Sequence, residues 1–200
     1  MFVSFEGLDG SGKTTQAELL ADQLKKQDRE VVLTREPGGT PLGEAIRVLL
    51  LDGPEMTPWA EAALFAAARG ELVERVVRPA LERGAVVVCD RYLDSSLAYQ
   101  GIARGLGVER VLVLNAVVSG DLVPDRTFLL DIDPVEAIER LGVPDRIERE
   151  ADAFKSAVAD AYRKLARRFP DRIVVLEATL PRDVLAAQVR EQLAVRRARA

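Results

Sequence analysis

The stretch Gly7-Leu8-Asp9-Gly10-Ser11-Gly12-Lys13-Thr14 fits G-x-x-x-x-G-K-[ST] without a mismatch. That spacing suits a backbone wrapped around a phosphate. Its glycines tolerate the conformations that turn successive N–H groups inward. Lys13 adds a compact charge for the β- and γ-phosphates, and Thr14 places a hydroxyl where it could ligate Mg²⁺. A helix beginning here would add its positive dipole end. Each residue from Gly7 through Leu8, Asp9, Gly10, Ser11, Gly12 and Lys13 to Thr14 is thus a candidate for holding a nucleoside triphosphate. A second chemical pair, Asp90-Arg91, follows the apolar run Val86-Val87-Val88-Cys89. Its carboxylate can serve the Mg²⁺ shell, and its guanidinium suits an anionic second substrate.

The composition narrows the remaining chemistry. The 200 residues contain no histidine and one cysteine. A Ser-His-Asp triad, a Cys-His pair, a His-ligated metal and an internal disulfide are all excluded. Of 28 basic residues only Lys13, Lys25, Lys26, Lys155 and Lys164 are lysines. The rest are arginines, the residue suited to bidentate phosphate contacts. A net charge of −4 argues against a general nucleic-acid partner. No apolar run approaches the roughly 20 residues a bilayer requires, so no membrane association is expected. The N-terminus lacks a basic n-region, and a cytoplasmic setting is the simplest expectation.

These groups need a frame. Met1–Phe5, Val31–Thr34, Ala85–Cys89, Thr127–Ile132 and Ile173–Leu176 are short apolar runs bounded by turn residues, and read as five buried strands. Helical patterns fill the intervals: 13–27, 40–51, 57–83, 94–103, 108–118, 135–141, 148–169 and 181–199. Alternating β and α elements predict an α/β fold, a five-stranded parallel sheet in a three-layer α/β/α arrangement. Ligands in such folds bind at the carboxyl ends of the strands. Residues 1–200 read as a single domain, with a short lid at about 140–150 hinged at Gly142-Val143-Pro144.

Among phosphate-loop proteins, a GTPase would carry Asn-Lys-x-Asp, but the only Asn is Asn115, followed by Ala116. Motor and transporter ATPases usually end the second motif strand in Asp-Glu, whereas here it ends in Asp90-Arg91. A kinase with a small anionic acceptor fits better. A non-catalytic nucleotide switch is the less favoured alternative.

Four further segments make the comparison specific. Thr34-Arg35-Glu36-Pro37-Gly38-Gly39-Thr40, Leu64-Phe65-Ala66-Ala67-Ala68-Arg69, the run from Asp90 to Gly101, and Asp145-Arg146-Ile147-Glu148 follow the phosphate loop in order. With Phe5 to Gln16, this series resembles the thymidylate kinase family, P-loop nucleoside monophosphate kinases that phosphorylate dTMP to dTDP with ATP and Mg²⁺. A related nucleoside or nucleoside monophosphate kinase with another acceptor remains the alternative.

The resemblance implies the following roles. Arg35 and Arg91 clamp the dTMP phosphate, although an ion pair of Arg35 with Glu36 or Glu44 is an open alternative. Phe65 stacks on thymine, and Arg69, four residues on, donates to a base carbonyl. Ser96 and Gln100 read base and sugar, with Tyr99 beneath the deoxyribose. Asp9 accepts from the 3′-hydroxyl or sits near the Mg²⁺ shell, with Thr14 and Asp90 as the metal-facing residues. The family's lid arginine has two main candidates, Arg140 and Arg146, with Arg149 behind them; Arg140 is favoured, and Arg146 could instead hold the lid through nearby acids. Arg182, after the last strand, stacks on adenine or stands exposed. The resemblance also implies a homodimer, to which the helix with Val111, Val113, Leu114, Val117 and Val118 could contribute.

Overall fold

The computed structural model describes residues 1–140 and 145–197. Five strands, β1 (Phe2–Gly7), β2 (Val31–Arg35), β3 (Val86–Asp90), β4 (Arg126–Asp131) and β5 (Ile173–Glu177), form one sheet in the order β2-β3-β1-β4-β5. Every pairing is parallel. The strands therefore end on the same edge, and the loops after them meet there. β1, β3 and β4 are covered on both faces, which is why they read as unbroken apolar runs. The structure extends β1, β2, β3 and β5 one or two residues beyond their apolar runs, so that Glu6-Gly7, Arg35, Asp90 and Glu177 complete them.

The helices are α1 (Lys13–Lys25), α2 (Pro41–Leu51), α3 (Pro58–Leu72), α4 (Arg78–Glu82), α5 (Leu93–Ser96), α6 (Val108–Ser119), α7 (Pro134–Glu139), α8 (Asp152–Arg168) and α9 (Arg182–Arg197). Caps set the starts of α2 and α3. Thr40 Oγ1 accepts from Gly43 N at 2.9 Å and Thr57 Oγ1 from Ala60 N, and each helix opens on a proline. The long helix expected over 57–83 is interrupted. A π-helical turn, Val73–Val77, joins α3 to α4 just before Pro79, which has no N–H to continue the i→i−4 ladder. The segment expected to be helical from Asp94 also departs from α geometry, because α5 widens into a π-helical stretch over Leu97–Ala103. The helix expected from Glu148 begins only at Asp152. Gly142-Val143-Pro144, the expected hinge, lies outside the described residues.

The main core packs α1, α8 and the π-helical stretch against the sheet around Phe2, Phe5 and Phe128. A smaller cluster of Ile46, Leu50 and Ala68 joins α2 to α3, with Phe65 packed at its margin. Phe65 thus has core on one side and remains half-buried.

Candidate active site

The phosphate loop begins where β1 delivers buried Phe5 and Glu6 into Gly7. Gly7 holds φ +139°, and a Cβ there would lie 2.5 Å from the Leu130 carbonyl oxygen. At Gly10, φ +82°, a Cβ would collide with the Ala137 carbonyl. Only glycine lets the loop sit this close to β4 and α7. Lys13 is buried at 5 % exposure. It donates to Leu8 O at 2.7 Å and lies 3.6 Å from Asp9 Oδ1. Burial, and then the neighbouring Arg91, pull the Lys13 ammonium below its usual pKa against the pull of Asp9, Asp90 and Glu6.

Thr14 Oγ1 donates to Asp90 Oδ2 at 2.5 Å, so the loop's hydroxyl and the β3 carboxylate share one spot. The other oxygen, Asp90 Oδ1, is buried with no protein partner. A buried carboxylate oxygen left over beside a hydroxyl fits a Mg²⁺ shell completed by phosphate and water.

Arg91 leaves β3 at φ +66°, an uncommon conformation for a side-chain-bearing residue. Its N–H donates to Phe5 O at 2.9 Å. Its guanidinium donates to Asp9 Oδ1 at 2.5 Å, Ser95 Oγ at 3.1 Å and Tyr162 OH at 3.2 Å. Behind it stands Glu6, fully buried. Glu6 accepts from Tyr92 N at 2.8 Å, Ser95 Oγ at 2.6 Å and Tyr162 OH at 3.0 Å. Burial and then Asp94 push the Glu6 carboxyl up to about 7. Asp9 goes the other way: burial alone would raise it, but Arg91 and Lys13 hold it far below the usual carboxylate range.

Next to the loop is a cleft with about 500 Å³ of empty space, lined by Phe65, Arg91, Ser95, Ser96, Tyr99 and Gln100 among others. The wide π-helical turn lets Tyr99 and Gln100 face the same cleft as Ser95 and Ser96. A second cavity contains Lys13, Thr14, Asp90 and Arg35. The two share Asp9, Glu36, Arg47 and Arg91 in their walls.

Some expected positions turn out differently, and at others the structure shows the alternative that the sequence left open. Arg69 does not line the cleft. It is 1 % exposed, and its five donors all meet protein acceptors: Nε and Nη2 reach Glu36, Nη1 reaches Ser96 Oγ and Asn115 Oδ1, and Nη2 also reaches Tyr92 O. A hydrogen bond from Arg69 to a base carbonyl would have to displace one of these partners. Arg69 instead holds Glu36 and Ser96 in place. Arg146 takes the acid-pairing alternative, away from the phosphate loop: its Nε donates to Leu50 O at 2.7 Å and its Nη2 to Glu61 Oε2 at 2.9 Å. It holds the acids and carbonyls of α2 and α3, and lines neither cavity. Arg140 is exposed beside Gly10 and donates to Ala178 O at 3.2 Å; it too is missing from the lining of the phosphate-loop cavity. Arg35 lines that cavity while pairing with Glu44 through two 3.0 Å contacts, the ion-pair alternative. Arg182 opens α9 with its guanidinium exposed on Asp183, and its carbonyl accepts from Gln16 Nε2 at 2.9 Å.

Residues with no assigned role prove central: Glu6, Glu36, Arg47, Glu61, Asn115 and Tyr162. The sole asparagine, placed on an apolar helix, was the clearest available signal. Asn115 is 2 % exposed and anchors Arg69.

A parallel sheet with this loop at its central strand, and an arginine-walled cleft beside it, defines a P-loop phosphotransferase. Comparison with known proteins narrows the class. The family model described as thymidylate kinase matches residues 5–189. Thymidylate kinases of Gloeobacter violaceus and Bifidobacterium longum are each 48 % identical, covering 98 % and 96 % of this chain and 95 % and 97 % of theirs. The crystal structure of thymidylate kinase from Ehrlichia chaffeensis superposes with a TM-score of 0.80 at 36 % identity, covering 96 % of this chain and 98 % of that one. The chain belongs to the thymidylate kinase family.

Proposed function

We propose that the chain transfers the γ-phosphoryl group of ATP to dTMP, giving dTDP and ADP. The observation that carries this reading is the junction of two cavities through shared Asp9 and Arg91, one at the phosphate loop and one with an aromatic ring and two polar readers. Residues Gly7 to Thr14 hold the triphosphate, and Lys13 neutralises charge on its outer phosphates. Arg91, with Arg35 and Arg47 at the cavity wall, fixes the acceptor phosphate. Phe65 stacks on the base, Ser96 and Gln100 read its edge, and Tyr99 crowds the position of a 2′-hydroxyl. Asp9 accepts from the sugar 3′-hydroxyl. Arg140 supplies charge beside Gly10, and Arg182 borders the adenine.

An oxygen of the dTMP phosphate forms the new P–O bond as the bond to the bridging oxygen of ADP breaks. That oxygen is already anionic at neutral pH, so no strong base is needed, and the residues act by positioning and charge. Thr14 and Asp90 would hold Mg²⁺, which when bound neutralises phosphate charge and orients the groups in line.

An ADP-release assay across dTMP, dUMP, dCMP, dGMP and UMP tests the reading. Turnover led by dTMP is expected, and activity confined to dCMP or dGMP would overturn it. We also assign a single domain, 1–200, with a lid near 140–150. A homodimer is proposed through the α6 face that exposes Val113 and Val117, whereas Val111 is buried within the monomer. Sedimentation at micromolar concentration should show a dimer. No helix among the described residues is long and apolar enough to cross a membrane. A cytoplasmic setting suits the buried, unpaired thiol of Cys89.

A further inference from the structure

The hydrogen-bonding polarity of the base cleft is set by a carboxylate that stands behind it. Glu61, on α3, is 1 % exposed and does not line the cleft. Its Oε1 accepts from Gln100 Nε2 at 2.9 Å. Its Oε2 accepts from Arg104 Nη2 at 3.2 Å and Arg146 Nη2 at 2.9 Å. Burial alone would raise the Glu61 carboxyl, but hydrogen bonds from Gln100, Arg104 and Arg146 outweigh it and keep the group below its ordinary value. It is therefore charged at neutral pH, and a charged carboxylate only accepts. Gln100 must turn its NH₂ toward Glu61 and its carbonyl away. That carbonyl oxygen, Gln100 Oε1, is buried with no protein partner, on a residue that lines the cleft. A buried acceptor left open in a ligand cleft calls for a donor.

One turn earlier, Ser96 also lines the cleft. Its oxygen accepts from Arg69 Nη1 at 3.0 Å, and a guanidinium cannot accept in return. The Ser96 hydrogen is then left to donate. The cleft presents an acceptor beside a donor.

We propose that Glu61 is a specificity-determining positioning residue: by fixing the Gln100 amide it makes the cleft complementary to a pyrimidine edge with N3–H beside C4=O. Thymine and uracil offer that edge. Cytosine offers the reverse, an unprotonated N3 beside an amino group, and would face acceptor with acceptor at Gln100. Without the Glu61 charge the amide can turn over and present its NH₂ to cytosine N3. The proposal rests on the reading of this cleft as the acceptor-base site.

The test is kcat/KM of the full chain for dTMP, dUMP and dCMP in the wild type, Glu61→Gln and Gln100→Leu. In Glu61→Gln the dTMP-over-dCMP ratio should fall at least about tenfold, while dTMP-over-dUMP stays constant because both bases carry the same edge. A merely structural defect would lower all three substrates together and leave both ratios alone. Gln100→Leu keeps Glu61 with its arginines and should also lose the dTMP-over-dCMP preference, so it decides the matter if Glu61→Gln does not fold. An unchanged dTMP-over-dCMP ratio in a folded variant overturns the proposal. A wild-type chain that does not phosphorylate dTMP would overturn the function itself, which is a different result.

Discussion

The two halves of the active site are built in opposite ways. The phosphate-loop side is mostly backbone: glycines at positive φ, the N-terminus of α1, and one buried lysine held by a carbonyl from its own loop. The acceptor side is a lattice of side chains from distant elements. Arg69 ties α3 to Glu36 after β2 and Asn115 on α6, Glu61 ties α3 to the π-helical stretch, and Glu6 ties β1 to α5 and α8. Backbone cradles need only the right local sequence. Side-chain lattices need every remote partner, because a buried ion that loses its mate is costly.

Lys13→Ala should produce the largest change and the cleanest separation of the halves. We expect kcat to fall on the order of 10³-fold, as for loss of a charge aimed at the transferring group. The dTMP dissociation constant, measured by calorimetry, should hardly move, and a matching loss of dTMP affinity would break the division. On the other side, Arg69→Ala removes the mate of buried Glu36 and vacates the Ser96 and Asn115 contacts. It should cost about 3–5 kcal/mol of stability in urea unfolding. A folded variant of wild-type stability would show that the lattice is dispensable. Arg69→Lys supplies three donors where five are used, and should recover only part of the loss.

The same division explains what could be read from the sequence. The five strands, their parallel direction and the phosphate loop were legible because apolar runs and a contiguous motif carry them; the strand order was not. The clefts' direct liners, Phe65, Arg91, Ser96, Tyr99 and Gln100, were legible through contiguous segments. The structural role of Arg69 was not legible because its segment says nothing of Glu36 and Asn115, which are 33 and 46 residues away in the chain. For Arg146 the sequence left two roles open, and the one seen, pairing with an acid, could not be tied to Glu61 because that partner is 85 residues distant. The π-helical turns were invisible because their residues suit an α-helix equally well, and only Pro79 hints at one of them.

Glu6 makes the acceptor side sensitive to pH. Its carboxyl, ordinarily at 4.5, is raised to about 7 in the folded chain. The folded state therefore binds this proton more tightly than the unfolded chain does. The associated stabilisation is fully present below about 4.5, declines as pH rises, and is gone above about 7. Glu6→Gln is neutral throughout and lacks this decline. Wild-type stability relative to the variant should fall by about 3 kcal/mol at most between pH 4.5 and 7.5, read from urea midpoints. A constant difference would show that the Arg91 guanidinium, reached through Ser95 and Tyr162, already keeps Glu6 charged.

Arg146 provides the smallest and most discriminating effect. A lid arginine acting on the transferring phosphoryl group would show its loss in kcat. The arrangement here puts the guanidinium on Glu61 and Leu50 O, on the acceptor side, with Gln100 on the same carboxylate. Removing it leaves Glu61 with Arg104 and Gln100, so the carboxylate stays charged and the amide stays oriented, though less firmly. Arg146→Ala should therefore raise the KM for dTMP several-fold and change kcat by less than about threefold, the pattern of lost ground-state binding. Arg140→Ala, beside Gly10, should show the reverse split, with kcat falling and the dTMP KM held. If both variants lose kcat alone, Arg146 reaches the phosphates during turnover and the acceptor lattice opens in each cycle. If Arg146→Ala moves only KM, the lattice stays closed and the lid's charge comes from elsewhere on the phosphate-loop side.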